Sequence, residues 1–225
     1  MMTEVQWLDS GDPTKMLAFL ADAASERKLR LLSCACCRAF VWTLLRNDEC
    51  RAVVGAAEQY ADGLMDADTL RPAMQAAWDA SPRLTRDSRY WLPRQLAVAT
   101  ADTSRSAARA AAYMIDEICD LGDRRMHFGE SHCKFTKNRL RVARLVRDVF
   151  GNPFQPIAID AAWRTATVVS IAEAAYADRV FDRLPILADA LEDAGCTDAV
   201  VLDHCRRPGE HFRGCWVVDG LLGKA

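Results

Sequence analysis

The sequence LRLLSCACCRAFVWTLL, residues 29–45, is the most apolar stretch of the chain and decides the fold class that we predict. Its apolar side chains, among them Leu31, Cys34 and Val41, recur at the spacing of a helix that buries one face. Arg38 interrupts the stretch, which is also short for a membrane-spanning segment. We therefore predict a buried core helix here and no membrane span.

Helix-start signals surround this core segment. Asp12 stands before Pro13, and Ser25, Asp48 and Asp66 each precede an apolar-periodic segment, as N-capping side chains do. Strand signals are confined to two short segments, 199–205 and 216–222, each with a pair of β-branched residues. The chain as a whole predicts an all-α fold, a multi-helix, bundle-like domain.

The central segment DLGDRRMHFGESHCKFT, residues 120–136, has two glycines and no hydrophobic periodicity, which predicts an exposed loop. We expect a single all-α domain over 1–225, with two possible lobes, 1–119 and 137–225, joined by this loop. An alanine-rich segment from Pro93 to Cys119 favours one long helix. In the C-terminal half, four helices are predicted, over 163–177, 185–194, 197–204 with Thr197 as cap, and 215–222.

Composition and charge exclude several classes of protein. Hydrophobic residues make up 51% and charged residues 27% of the 225 residues, which is typical of a globular chain. The net charge of −2 gives no global attraction to nucleic acid or to anionic lipid. The nine cysteines are odd in number and the N-terminus has no signal-peptide pattern, so we expect a cytoplasmic protein with reduced thiols.

The segment HCRRPGEHFRGCW, residues 204–216, contains a candidate metal site. Its four candidate ligands are His204, Cys205, His211 and Cys215, and thiolate and imidazole are the groups that zinc prefers. The alternative is that both cysteines are buried apolar side chains and both histidines lie at the surface. A second, weaker candidate lies in the central loop and comprises His127, Glu130, His132 and Cys133.

The same segment resembles the loop of Cys-dependent phosphatases, in which His-Cys is followed by five residues and an arginine. His211 stands where that arginine is required, and Pro208 lacks one of the backbone N–H donors. A phosphatase is therefore not predicted. Arg206, Arg207 and Arg213 form a candidate anion-binding set, or alternatively a solvated turn.

A basic helix is predicted over residues 134–147, KFTKNRLRVARLVR, which contain no acidic residue. Lys137, Arg141 and Arg144 fall on one face at spacings of i, i+4 and i+7, a stripe that nucleic-acid phosphates attract. The alternative is that these side chains form the solvated face of a helix whose other face is apolar.

A further candidate site is a protein interface formed by Arg86, Arg89, Tyr90, Trp91 and Arg94, since aromatic and arginine side chains commonly anchor interfaces. Recognisable catalytic motifs are absent. The leading hypothesis is a helical interaction or adaptor protein with a protein partner. The alternatives are a metal- or thiol-dependent enzyme using residues 204–215, with zinc as its possible cofactor, and a nucleic-acid-binding protein.

Four segments carry a resemblance to a known family: WLDSGDPTKMLAFL (7–20), RKLRLLSCACCRAF (27–40), VFGNPFQPIAID (149–160) and residues 181–224, with their ADALEDAGC…HCR…HFRGCWVVDGLLGK pattern. Together they resemble a paralogous protein family of planctomycete bacteria that has no established activity. Its many paralogues imply a recognition or adaptor module more than a housekeeping enzyme.

Overall fold

The computed structural model describes residues 2–20, 23–45, 47–80, 91–103, 106–120 and 131–224. Within these ranges the chain forms α-helices and short 3-10 helices and no β-strand, which confirms the all-α prediction. The α-helices are α1 (Glu4–Asp9), α2 (Pro13–Leu20), α3 (Glu26–Phe40), α4 (Asp48–Ala61), α5 (Ala67–Asp79), α6 (Trp91–Ala101), α7 (Ala107–Asp120), α8 (Ser131–Phe150), α9 (Ala166–Asp178), α10 (Leu184–Asp193), α11 (Ala199–Arg206) and α12 (Trp216–Leu222). None of the described helices is both long and apolar enough to cross a membrane.

The chain divides into two compact units, an N-terminal unit (Met1–Val146) and a C-terminal unit (Arg147–Ala225). The division falls within α8, so the last turn of this helix belongs to the C-terminal unit. Residues 131–136, which the sequence assigns to an exposed loop, are helical, while 121–130 lie outside the described residues. The helix extends this far because residues 131–136, SHCKFT, contain neither glycine nor proline to stop it.

Helix α3 is the core helix of the N-terminal unit, as the opening stretch predicts. Its apolar side chains are buried, and it packs against α4, α6 and α7. The helix ends at Phe40, and a 3-10 turn over Trp42–Leu44 follows. Arg38, the charge inside the apolar stretch, donates from Nε to Glu58 Oε1 at 2.5 Å and lies over the Trp42 ring. The interruption is thus a paired charge at the edge of the core.

Three of the four caps predicted in the N-terminal unit are confirmed. Asp12 accepts from the Lys15 N–H at 3.4 Å at the start of α2. Ser25 accepts from the Lys28 N–H at the start of α3, and Asp66 accepts from the Thr69 N–H at the start of α5. The fourth cap is displaced by one residue, because Asp48 is already helical and Asn47 takes the cap position.

The prediction of one long alanine-rich helix is wrong, because the structure has two helices, α6 and α7, with a break between Ala101 and Ala107. Arg30 of α3 donates to the Thr100 carbonyl at 2.8 Å, satisfying the end of α6. Ser106 then accepts from the Arg109 N–H and caps α7. Alanine propensity alone could not show this break, because the capping groups are polar and one of them is distant in sequence.

In the C-terminal unit, α9 to α12 pack around one apolar core that includes Val168, Leu187, Val201 and Val217. The predicted helices are present with shifted ends, and both segments with strand signals are helical. Asp198, and not Thr197, caps α11 by accepting from the N–H groups of Val200 and Val201.

Gly151 ends α8, as the Gly-Asn-Pro sequence predicts, and it also fixes the neighbouring aromatic side chain. Its φ of 64° is left-handed, and a Cβ there would lie 3.2 Å from the Trp216 ring. The close approach lets the Trp216 indole pack directly over the end of α8, beside the last turn that carries Asp148.

Candidate metal centre

Four side chains with metal-binding atoms converge in the C-terminal unit: Asp148, His204, His211 and Cys215, here called the Asp148 cluster. One ligand atom from each lies within 4.8 Å of the other three. The cluster draws on three parts of the unit: the last turn of α8, helix α11, and the loop that leads into α12.

The backbone explains how these side chains meet. Helix α11 presents His204 toward the cluster, half-buried. Gly214, with φ of 97°, turns the loop in a left-handed conformation, and the next residue, Cys215, is fully buried. Asp148 Oδ2 accepts from the Phe212 N–H at 3.4 Å, which ties this loop to the end of α8. The cluster is therefore held by both backbone and side-chain contacts.

The distances inside the cluster are close to those between ligands of one ion. His204 Nε2 lies 3.1 Å from Cys215 Sγ and 3.3 Å from Asp148 Oδ1. Around a tetrahedral zinc ion, two nitrogen or oxygen ligands lie about 3.4 Å apart, and a nitrogen and a sulfur about 3.6 Å. His211 Nδ1 and Asp148 Oδ1 are closer, at 2.6 Å, and an ion between them would widen this contact by about 0.8 Å.

Asp148 and His211 form a largely buried, hydrogen-bonded pair. Burial alone raises the pKa of Asp148, but the hydrogen bonds from His204 and His211 outweigh it and hold this pKa below its ordinary value. Burial alone lowers the pKa of His211, yet its hydrogen bond to Asp148 raises the pKa above 6.5. Nδ1 of His211, the nitrogen that contacts Asp148, faces the cluster.

The two cysteines of the 204–216 segment differ in their surroundings. Cys215 lies in the cluster, and burial, followed by the nearby Asp148 charge, raises its pKa well above 9.0. Cys205 lies in the apolar core, where burial raises its pKa to about 12. Both thiols are therefore protonated near neutral pH, which does not favour a cysteine nucleophile. A bound cation is the group that converts such a thiol into a thiolate.

His204 is oriented by Trp216. The indole Nε1–H donates to His204 Nδ1 at 3.1 Å. Because an indole nitrogen can only donate, Nδ1 carries no proton in this arrangement, and the proton of the neutral ring sits on Nε2. That nitrogen faces both Asp148 and Cys215, so the ring donates into the cluster.

Three of the four predicted ligands, His204, His211 and Cys215, are brought together, and the fourth, Cys205, is not part of the cluster. Asp148 takes its place, although it lies outside the segment that drew attention to the site. A signal for it exists in the sequence: it is the only acidic residue between 131 and 150, and it follows Arg147 in a helix segment whose other nearby residues, Val146 and Val149, are apolar. Such a carboxylate is 6% exposed and needs a partner.

The arginines of the same segment make specific contacts within the unit. Arg206 pairs with Asp189 and Glu192 of α10. Arg213 donates to the Tyr176 and Ala177 carbonyls at the end of α9. Arg207 is exposed. The candidate anion-binding set is thus distributed over separate contacts.

The basic stripe of α8 is also divided. Lys137 and Arg144 are exposed, whereas Arg141 donates to the Ala39 carbonyl at 2.9 Å and lies over the Phe40 ring. One of the three cations therefore serves the packing of the N-terminal unit. Two other predicted sets lie outside the described residues, in full or in their side chains: Arg86, Arg89, Tyr90, Trp91 and Arg94, and His127, Glu130, His132 and Cys133.

Comparison with known proteins adds no name to this site. No protein-family model, curated protein or solved structure matches the chain. The chemistry of the Asp148 cluster is therefore inferred from the types, distances and burial of its own side chains.

Proposed function

We propose that the C-terminal unit is a zinc-binding module in which Asp148, His204, His211 and Cys215 hold one ion. The observation that carries the proposal is the convergence of a carboxylate, two imidazoles and a thiol within 4.8 Å, in the interior of a small helical unit. The four groups already satisfy one another through hydrogen bonds, so the support for an ion lies in their number, their chemical type and their spacing.

The donor set favours zinc over the other common biological metals. Calcium and magnesium prefer sites made of oxygen ligands, and only Asp148 supplies oxygen here. A thiolate and two imidazoles suit a borderline-soft ion, and four such ligands match the tetrahedral geometry that zinc adopts. Copper(II) and nickel(II) with nitrogen and oxygen ligands favour planar arrangements, and a blue-copper site combines two histidines and one cysteine with a weak axial ligand, whereas the fourth ligand here is a carboxylate.

A structural role is better supported than a catalytic one. Catalytic zinc sites keep one coordination position for water or substrate, whereas four protein ligands here fill a tetrahedron. Cys215 and Asp148 are buried, with 0% and 6% exposure, so substrate has no open approach through them. The ion would join the end of α8 to α11 and to the start of α12.

Zinc binding carries one cost that the structure identifies. Coordination through His204 Nε2 leaves the proton of the neutral ring on Nδ1, the atom that accepts from the Trp216 indole. Two donors then face each other, so this hydrogen bond breaks when the ion binds. Trp216 is therefore a natural fluorescence reporter of metal occupancy.

The adaptor and nucleic-acid hypotheses stay predictions. The residues proposed for the adaptor interface lie outside the described side chains, and one cation of the proposed nucleic-acid stripe, Arg141, makes internal contacts. The zinc proposal does not compete with either, because a structural ion can support a unit that binds a partner.

The test compares two matched cysteine variants. Cys215→Ala and Cys205→Ala each remove one thiol from a side chain that is at most 1% exposed, so the loss of packing is similar in both. Full-length protein is incubated with zinc, freed of unbound ion by gel filtration and measured by elemental mass spectrometry. Cobalt substitution followed by visible absorption then reports tetrahedral geometry and thiolate ligation.

We expect about one zinc per chain in the wild type and in Cys205→Ala, because both keep the four ligands of a single site. Cys215→Ala should lose most of the metal and the cobalt–thiolate absorption. A wild-type chain that retains no zinc would refute the proposal, as would equal retention by the two variants.

A further inference from the structure

The N-terminal unit contains a polar cavity of about 430 Å³, separate from the Asp148 cluster in sequence and chemistry. Its lining comes from three parts of that unit: the first turns of α3, the end of α4, and the connection between α6 and α7. The lining residues are Glu26, Arg27, Arg30, Tyr60, Ala61, Thr103 and Ser106. The volume is that of a site for a small molecule.

Arg30 is the unusual member of this lining. It is 5% exposed, yet no carboxylate of the described residues forms an ion pair with it. The other arginines on the same helix behave differently: Arg27 pairs with Asp62 at 2.9 Å, and Arg38 pairs with Glu58. A buried charge without a counter-ion is costly, so Arg30 calls for an explanation that its neighbours do not.

Backbone contacts account for only part of the guanidinium. Arg30 Nη1 donates to the carbonyls of Thr100, at 2.8 Å, and Asp102, at 3.5 Å. Within the described residues, Nε and Nη2 have no acceptor, although a guanidinium offers five donors in a fixed fork. The ring of Tyr60 lies 5.0 Å from the guanidinium carbon and holds its plane in place.

The other charges around the cavity are already engaged. Glu26 accepts from the Ala107 N–H at 2.8 Å, and Arg27 donates to Asp62. Tyr60, Thr103 and Ser106 add hydroxyl groups that can donate to an anion. The lining thus combines the Arg30 guanidinium and three hydroxyl groups with the Glu26 carboxylate, which keeps its negative charge while it accepts from the Ala107 N–H.

We propose that this cavity binds a small molecule that carries a phosphate or a carboxylate. Arg30 binds this oxyanion through Nε and Nη2, the nitrogen atoms that have no acceptor within the described residues. Carboxylates and phosphates accept two parallel hydrogen bonds from one guanidinium. Nε and Nη2 of Arg30 can donate such a pair of hydrogen bonds. The hydroxyl groups of Tyr60 and Thr103 complete the grip. This site stands apart from the zinc proposal and does not depend on it.

The experiment measures anion-specific binding to the full chain. Thermal unfolding and isothermal titration calorimetry are run with inorganic phosphate, with succinate and with chloride at equal ionic strength, each with and without EDTA. Phosphate and succinate separate the two oxyanion classes, and EDTA separates this site from the metal site.

We expect one of the two oxyanions to raise Tm saturably beyond chloride, equally with and without EDTA. Arg30→Lys keeps the charge but loses the fork, and should weaken binding at least tenfold. Arg71→Lys, on an exposed arginine paired with Asp68, is the matched control and should bind as the wild type does. Tyr60→Phe, which keeps the ring and removes one hydroxyl, should weaken binding severalfold.

Two results would overturn the proposal. One is a wild-type chain on which phosphate and succinate act no more strongly than chloride. The other is an Arg30→Lys variant that binds as tightly as the wild type. If Arg30→Lys does not fold, the wild-type titration and Tyr60→Phe decide the question by themselves.

Discussion

Replacing Asp148 by Asn separates the two roles that the structure gives this carboxylate. Asp148 accepts from His211 Nδ1 and from the Phe212 N–H, and lies 3.3 Å from His204 Nε2. An amide of the same shape keeps one oxygen acceptor and turns its other end into a donor. Without metal, one charge-assisted hydrogen bond is lost, which costs about 1.5–3 kcal/mol.

With zinc the loss is larger, because a neutral amide replaces an anionic ligand. If zinc binds at least tenfold more weakly, the zinc-saturated unit loses a further ~1.4 kcal/mol or more of stabilisation. The quantity that tests the reasoning is thus a double difference: the zinc-dependent gain in stability of the wild type minus that of Asp148→Asn.

Hydrogen exchange read by mass spectrometry over α11 and α12 measures this difference within the C-terminal unit alone. Asp203→Asn is the control, because Asp203 is an exposed carboxylate on α11, one residue from His204. We expect the control to keep the full zinc-dependent protection. The reasoning fails if Asp148→Asn also keeps it, since Asp148 would then not be a ligand.

Three further outcomes follow from the C-terminal unit. Without metal, the Asp148–His211 pair stabilises the unit most between about pH 4 and 6.5. The lowered pKa of Asp148 removes its contribution as pH falls below 3.8, and the raised pKa of His211 removes its contribution as pH rises above 6.5. With zinc, the free energy of unfolding should instead increase from pH 6 to 8, because the ligands must lose their protons before they bind the ion. If the pH profiles of unfolding measured with zinc and with EDTA are parallel, the cluster does not bind zinc. Trp216→Phe removes the indole N–H that donates to His204, a hydrogen bond that zinc binding has to break. The variant should therefore bind zinc severalfold more tightly in a chelator competition, and an unchanged affinity would show that this hydrogen bond survives binding. Gly220→Ala places a methyl carbon 2.6 Å from Ile159 Cγ1 and should cost about 1–3 kcal/mol in urea unfolding, whereas a neutral effect would mean that the Ile159 side chain moves freely aside.

The presence of the helices and the residues at which they start could be predicted from the sequence, because both depend on residues that are close together in the chain. Ser25 and Asp66 cap the helices that directly follow them, and the apolar stretch around Leu31 forms its helix by local periodicity. The break between α6 and α7 was less accessible, because the residue that donates to the carbonyl at the end of α6, Arg30, lies 70 positions earlier in the chain.

The candidate metal site divides in the same way. His204, His211 and Cys215 stand within one short segment and could be found by composition. Cys205 was included because a thiolate is a good zinc ligand. His204 and Cys205 are neighbours that point about 100° apart on a helix, and the sequence does not tell which of the two faces the site. Asp148 was missed because only tertiary contacts of the last turn of α8 within the C-terminal unit bring it to the others.

The position of Asp148 also determines how much of the chain an ion at the cluster ties to the folded state. Asp148 and His211 are 63 residues apart, whereas His204 and Cys215 are only 11 apart. Because the four ligands meet only when the unit folds, the ion binds the folded unit and is released on unfolding, so its binding free energy adds to the folding free energy. An ion held by the three C-terminal ligands alone would couple only the short segment that carries them. With the carboxylate of α8 as a ligand, one ion couples the folding of nearly the whole C-terminal unit.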